Sequence, residues 1–162
     1  MASQSATSIL NSVRQIVQAL RISSRQAESQ FGLSSAQLFV LQKLAEADGP
    51  VSLSDLAAMT LTHISSVSVV VSRLGDQGLI KKQPSADDAR RSEIKATAKG
   101  LKILAARPQT AQEELIAAVG RLQADDQTHL AKLLERLVEE AKFTSTGSPM
   151  FFEEGAKNKD SL

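Results

Sequence analysis

The chain has 162 residues, with 19 basic and 18 acidic side chains and a net charge of +1. It contains no cysteine and two histidines, His63 and His129, which excludes disulfides and thiol chemistry and disfavours a histidine metal site. No stretch approaches the roughly 20 continuous apolar residues of a membrane span, and the N-terminus lacks the pattern of a secretory signal. We therefore expect a cytoplasmic protein with no membrane partner that requires neither a metal nor another cofactor.

Apolar residues at helical spacing predict a first helix over residues 6–29. They are Ile9, Leu10, Val13, Ile16, Val17 and Leu20. Gly32 ends this helix, and Ser34 with Gln37 has the pattern of a capping box, in which the two side chains satisfy helix N–H groups. A second helix follows and ends at Gly49-Pro50.

The next segments predict a helix-turn-helix. Val51 suggests a short strand, and Ser52 is placed to cap a short third helix that runs to about Met59. A connection of about three or four residues then leads to a fourth helix, whose apolar stripe has the i, i+3, i+4, i+7 spacing. The stripe consists of Val67, Val70, Val71 and Leu74.

The opposite face of the fourth helix carries short side chains in place of the usual Glu and Lys. They are Ser65, Ser66, Ser68, Val69 and Ser72, with Arg73 as the one long residue. Such a face lets another surface approach the helix backbone closely, so we interpret this helix as the recognition helix. Serine can bond to donors or acceptors on base edges, and Val69 could contact a thymine methyl.

After Gly78 the pattern changes from helical to alternating. Residues 79–83 and 92–97 predict two strands, joined by a turn at Pro84 and a tip with Arg90 and Arg91, which together form a β-hairpin wing. Residues 73–102 hold eight basic and four acidic side chains. This cluster of positive charge beside the recognition helix is what a DNA phosphate backbone would meet, although a solvated charge run has the same composition.

The C-terminal third predicts long helices and a mobile tail. Apolar residues from Leu101 to Leu122 keep one stripe across Pro108, which predicts a single helix kinked at that proline. Asp125 or Asp126 is expected to cap a last helix with Leu130, Leu133 and Leu137 on its apolar face.

In this order, the elements and their motifs resemble the MarR family of bacterial transcription regulators. The resemblance rests on Leu56-Ala57, Arg73-Leu74, Gly78-Leu79-Ile80, Asp88-Ala-Arg90 and Thr97-Ala-Lys-Gly100, all with the family's spacing. It covers roughly residues 8–143. The implied fold is mainly α with a small β-hairpin wing, a winged helix-turn-helix lobe plus long dimerisation helices. The expected regions are an N-terminal dimerisation helix at 1–30, the DNA-binding lobe at 31–100, dimerisation helices at 101–143 and a mobile tail at 144–162.

The resemblance also implies which residues act. The expected DNA-binding residues are Thr62, His63, Ser65, Ser66, Ser68, Val69, Ser72, Arg73, Asp88, Arg90 and Arg91. Arg90 would enter the minor groove, and Asp88 would brace it by a salt bridge. The expected homodimer interface contains Leu10, Val13, Val17, Leu115, Val119, Leu133 and Leu137. Because relatives often carry Arg, Gln or Thr on the base-reading face, we expect more specificity here from the wing and from DNA shape.

These expectations lead to one main hypothesis and one alternative. The main hypothesis is a homodimeric regulator that binds a pseudo-palindromic double-stranded operator and represses until a small aromatic or apolar effector releases it. The alternative is a winged-helix adaptor that binds proteins without sequence-specific DNA binding. An enzyme is disfavoured, because the sequence shows no nucleophile with plausibly spaced partners, no glycine-rich phosphate loop and no metal-ligand cluster.

Overall fold

The computed structural model describes residues 3–85, 92–106 and 108–143. Helices dominate, and a small antiparallel sheet combines one strand that precedes the third helix with two strands that lie between the fourth and fifth helices. The elements in chain order are α1 (Gln4–Phe31), α2 (Ser35–Glu46), β1 (Val51–Ser52), α3 (Leu53–Met59), α4 (Ile64–Asp76), β2 (Ile80–Pro84), β3 (Ser92–Ala96), α5 (Ala98–Leu104), α6 (Ala111–Gly120) and α7 (Ala124–Glu140).

The boundary between α1 and α2 forms as the sequence predicts. Gly32 takes the left-handed conformation at φ 66° and donates its N–H to the carbonyl oxygen of Glu28, which closes α1. The capping box is confirmed, because Ser34 Oγ accepts from Gln37 N at 3.1 Å and Gln37 Oε1 accepts from Ser34 N at 3.0 Å. This reciprocal pair fixes where the long first helix turns into the lobe.

Helix α2 forms the centre of the hydrophobic core. Every residue from Ser35 to Leu41 is buried, and α2 contacts α1, α3, α4, α5, α6 and β3. Phe39, Leu41, Leu56 and Val67 have no measurable exposure. At about 1.5–3 kcal/mol for each fully buried large apolar side chain, this cluster is the main source of the lobe's stability.

The wing strands form as predicted and gain a third partner. β2 and β3 pair antiparallel, with Ile80 opposite Ala96, and β1 joins the other edge of β3 with Val51 opposite Ile94. The sheet order is therefore β1-β3-β2. Since β1 leads directly into α3, this pairing ties the wing to the first helix of the helix-turn-helix.

The prediction of one helix kinked at Pro108 is wrong. α5 ends at Leu104 and α6 begins at Ala111, so two separate helices flank the proline. Pro108 lacks an N–H and its ring opposes the preceding helical turn, while Thr110 starts a new helix with a capping box to Glu113. The Thr110-x-x-Glu113 pattern is visible in the sequence and favours this break.

The expected aspartate cap of the last helix is also wrong. Gln123 occupies the N-cap position without a side-chain cap bond, and Asp125 and Asp126 lie in the first turn. Carboxylates there stabilise the helix through its dipole rather than through a cap. Within the described parts of the chain, no single helix is long and apolar enough to cross a membrane, although the bent pair of α3 and α4 meets that criterion in combination.

Candidate DNA-binding surface

Helices α3 and α4 form a helix-turn-helix. Their axes differ by 107°, within the range of about 90–120° typical of this motif. The turn is held by backbone bonds from Thr60 N to Leu56 O and from Thr62 N to Ala57 O, and the buried Thr60 hydroxyl also donates to Leu56 O at 2.8 Å. Leu61 adopts a left-handed φ of 52°. These bonds fix the angle at which α4 leaves α3.

The inner face of α4 is the predicted apolar stripe. Val67, Val70, Val71 and Leu74 are all completely buried against the core, which confirms the helical interpretation of this segment. Because all four positions are anchored, the opposite face of α4 is held at a fixed orientation to solvent.

That outer face presents the predicted short side chains. Ser65, Ser68, Val69 and Ser72 are exposed, whereas Ser66 and Arg73 are half-buried at its edges. His63 is exposed and occupies the N-cap position without a side-chain cap bond, and Thr62 is half-buried beside it. The structure therefore brings these eight expected residues together at one helix and its N-terminus. Asp88, Arg90 and Arg91 lie outside the described residues.

The C-terminal end of α4 is clamped to the segment that follows the wing. Thr97 Oγ1 donates to Gly78 O at 2.9 Å, and Lys99 Nζ donates to Gln77 O at 2.8 Å. Gly100 packs directly on this turn, since a Cβ at Gly100 would collide with the carbonyl oxygen of Leu79. The recognition helix and the base of the wing consequently form one rigid unit.

The wing places like charges opposite each other. Lys81 on β2 and Lys95 on β3 are direct cross-strand partners, and both are exposed. Directly opposed like charges destabilise a sheet by a few tenths of a kcal/mol. Lys82, the next residue of β2, and Lys99 and Lys102 of α5 are also exposed. A bound anion would relieve this repulsion. The sequence alone does not reveal the pair, because the pairing of Lys81 with Lys95 depends on the strand register.

A second surface carries exposed apolar side chains from α1, α6 and α7. No residue of the 17-residue helix α7 is buried. Of the expected interface residues, Leu10, Val13, Val119, Leu133 and Leu137 are between 38% and 58% exposed, and Val17 and Leu115 are half-buried.

An open surface cavity of about 380 Å³ lies between α2, the connection that follows α5, and α6. Gln42, Thr110, Glu113, Glu114 and Ala117 line it together with Pro108 and Gln109. The Gln42 amide nitrogen donates to Pro108 O at 2.6 Å, which ties α2 to this connection. The described lining residues offer carboxylates, amides and a hydroxyl, with no basic side chain.

Comparison with known proteins finds a family similarity in the helix-turn-helix lobe. The model of the MarR family matches residues 31–91, from the last residue of α1 through β2, and it ends before β3. Over residues 31–91 the chain is similar to the MarR family. The matched segment contains the whole helix-turn-helix, so the similarity and the geometry rest on the same residues. No curated protein matches this chain.

Solved MarR-type structures extend the likeness over most of the chain. A probable transcriptional regulator of Pseudomonas aeruginosa is 29% identical with a TM-score of 0.51, over 77% of this chain and 92% of its own. BpsR of Bordetella bronchiseptica is 22% identical with a TM-score of 0.55, over 80% of this chain and 91% of its own. MarR of E. coli is 20% identical with a TM-score of 0.52, over 85% of this chain and 98% of its own. The chain has the fold of MarR-type transcriptional regulators.

Proposed function

We propose that the chain is a homodimeric, sequence-specific DNA-binding regulator of the MarR type that represses transcription until a small molecule releases it. The outer face of α4 carries this proposal. It is anchored by four buried side chains, it presents hydroxyls and small apolar groups, and it lies next to a basic sheet. A recognition helix in the major groove requires this combination.

Charge supports DNA as the partner. The opposed Lys81 and Lys95 and the neighbouring lysines of β2 and α5 supply sequence-independent attraction to phosphates. The same side chains would cost stability without an anionic partner. Arg90 and Arg91 would add a minor-groove contact from the wing tip, and Asp88 would orient Arg90.

The exposed apolar face supports a homodimer. Leu133 and Leu137 on α7 and Leu10 and Val13 on α1 are between 38% and 58% exposed in the isolated chain. A second copy would cover them by placing the same surfaces against each other, as a two-fold interface requires. Such a dimer presents two recognition helices at the spacing of one DNA turn, about 34–36 Å.

The cavity beside α2 supports an effector site. Its volume of about 380 Å³ suits a small aromatic molecule. DNA binding by BpsR of Bordetella bronchiseptica is regulated by the aromatic acid 6-hydroxynicotinic acid, and we propose that an aromatic molecule without its carboxyl group acts here. Glu113 and Glu114 on the lining favour a neutral ligand with hydrogen-bond donors over a carboxylic acid. The ligand would favour a different angle between each DNA-binding lobe and the dimer helices. The two recognition helices would then be at a spacing that does not fit DNA.

Selection from random double-stranded DNA at about 150 mM salt tests the central claim. An inverted repeat with half-sites one turn apart is the expected product. Ser68→Glu places a negative charge on the exposed outer face of α4 and should abolish enrichment, whereas Gln26→Glu makes the same charge change on exposed α1 and should not. Salt-sensitive, sequence-blind binding by the unmodified protein would instead support the protein-interaction adaptor.

Repression and release are tested separately. Transcription from a promoter that carries the selected operator should fall when the protein is added. Neutral aromatic molecules are then screened for a rise in melting temperature and for release of DNA. Ala117→Phe fills part of the cavity and should remove the response while DNA binding persists. Ala45→Phe, at an exposed site outside this cavity, is the control.

A further inference from the structure

The recognition helix exposes apolar side chains that its fold does not need. Ile64 is the first residue of α4 and is 51% exposed, and Val69 is 40% exposed. Four other apolar residues of the same helix are completely buried, so α4 has a complete core face without these two. Exposed β-branched residues on a helix contribute little to its stability.

Their positions frame the serines of the outer face. At about 100° per residue, Ile64 and Val69 lie at the two edges of an arc of roughly 140°. Ser65, Ser68 and Ser72 lie in the arc between them, and Gly75 and Asp76 follow in the same arc at the C-terminal turn. The face is thus a strip of hydroxyls bordered on each side by an apolar group, and Arg73 lies half-buried beyond the arc.

We propose that Ile64 and Val69 are specificity-determining residues that each contact the 5-methyl group of a thymine. This inference rests on the proposed function and names how that surface reads sequence. The N-terminal half of a recognition helix meets base edges, and the thymine methyl is the one apolar group in the major groove. Serine hydroxyls bond to either donors or acceptors, so they discriminate weakly among bases. The methyl contacts therefore supply the discrimination.

The geometry also sets the spacing of the two thymines. Val69 lies five positions after Ile64, which is about 7.5 Å along the helix axis and about 140° around it, so the two side chains lie about 12–14 Å apart. With a rise of about 3.4 Å per base pair, the two methyl groups belong to base pairs at most about four steps apart. Each half-site should carry thymines, on either strand, at that separation.

Replacement of thymine by deoxyuridine tests the proposal, because it removes only the methyl group. The selected operator is synthesised with deoxyuridine at each thymine in turn, and binding is measured for the full-length protein. We expect the Kd to rise about fourfold at two positions in each half-site, the equivalent of one buried methyl. Substitution elsewhere should leave the Kd unchanged.

Protein variants connect each methyl group to one side chain. Ile64→Ala should abolish the deoxyuridine effect at one position and Val69→Ala at the other, in a double-mutant cycle between protein and DNA. Both sites are exposed, so neither change should impair folding. Ser72→Ala alters the same face without an apolar contact, and it should keep both deoxyuridine effects.

Four outcomes would overturn the inference. An operator without thymines at the expected spacing, or one whose deoxyuridine forms bind as tightly as the original, excludes methyl contacts while the regulator function stands. Deoxyuridine effects that persist in both alanine variants assign the methyl contacts to other residues. A random pool that shows no enrichment overturns the proposed function, and with it this inference.

Discussion

The Thr97 hydroxyl donates a 2.9 Å hydrogen bond to the carbonyl oxygen of Gly78, the residue that turns the chain out of the recognition helix. The hydroxyl oxygen also accepts from Gly100 N at 3.2 Å and so caps α5. One side chain therefore joins the end of α4 to the start of α5. Because β2 and β3 lie between these helices in sequence, the bond also fixes the base of the wing against the recognition helix.

Removal of the Thr97 hydroxyl should loosen this joint. Thr97→Val keeps the shape of the side chain but removes both bonds, and we expect the free energy of unfolding to fall by about 1–2 kcal/mol, as for removal of an N-cap. Thr97→Ser keeps both bonds and should cost less than half as much. Urea titration of the two variants measures the difference. Equal decreases would show that the methyl group of Thr97 matters more than its hydroxyl.

Two helical glycines of the lobe should respond oppositely to alanine. A Cβ at Gly100 would collide with Leu79 O and press on Leu41, so Gly100→Ala should lower the free energy of unfolding by about 1–3 kcal/mol. At Gly75 in α4 nothing lies within 4 Å of the added carbon, and Gly75→Ala should raise it by about 0.5–1 kcal/mol. Thermal unfolding of both variants provides the comparison. A destabilised Gly75→Ala would reveal strain at the end of α4.

The turn of the helix-turn-helix contains a residue in an unfavourable conformation. Leu61 is 74% exposed at φ 52°, where a side chain costs about 1–2 kcal/mol relative to glycine. Leu61→Gly should therefore raise the free energy of unfolding by about 0.5–1 kcal/mol, after allowance for the greater freedom of glycine in the unfolded chain. Leu61→Ala retains the Cβ and should bring no such gain. Chemical unfolding of both variants measures the difference. If Leu61→Ala also raised the free energy of unfolding, the exposed leucine side chain, rather than the left-handed backbone, would be the cause of the destabilisation.

The opposed lysines of the wing should trade stability for DNA affinity. Replacement of Lys81 by glutamine removes a cross-strand repulsion with Lys95, and it should raise the free energy of unfolding by a few tenths of a kcal/mol. DNA affinity should fall for all sequences alike, and the slope of log K against log salt should lessen by about 0.9 for each phosphate that the protein no longer neutralises. Lys132→Gln, on the exposed helix α7, is the control and should change neither quantity. An unchanged salt slope for Lys81→Gln would remove this lysine from the DNA-binding surface.

The apolar face of α7 should hold the dimer together. Leu133 is 58% exposed in the single chain, and Leu133→Asp should convert the dimer to monomers because it would bury an unpaired charge in the interface. Lys132→Asp introduces the same residue about 100° away around the helix and should leave the dimer intact. Sedimentation at several concentrations distinguishes the two. A Leu133→Asp variant that stays dimeric would place the interface elsewhere.

Several patterns with a local physical cause are predicted correctly, although the aspartate cap of α7 and the single helix across Pro108 are not. The stripe from Val67 to Leu74 predicts helix α4, because each apolar residue at helical spacing must face the core. The capping box of Ser34 and Gln37 and the αL residue Gly32 are visible for the same reason, since side chains within four residues satisfy the helix ends. Once the buried stripe of α4 is known, the residues on the opposite side of the helix are also known, because the helical repeat fixes both.

Long-range relationships are missed or wrong. The sequence predicts a kink at Pro108 where the structure has a break, because an apolar stripe can remain in phase by chance across two helices. The pairing of Lys81 with Lys95 requires the strand register, which the sequence leaves open. The exposure of Ile64 cannot be predicted without knowing which side of α4 packs against the core at its first turn.

The sequence by itself determined most of the helices, the cap at Ser34 and the inward residues of α4, because these depend on contacts within about four positions along the chain. Only the tertiary structure decided which surface remains open. Burial of α2 at the centre, the pairing of β1 with β3 and the clamp from Thr97 to Gly78 join residues that are 19 or more positions apart. Such contacts form through the shared core rather than through local conformation, so the surface that would meet DNA is defined only once that core is complete.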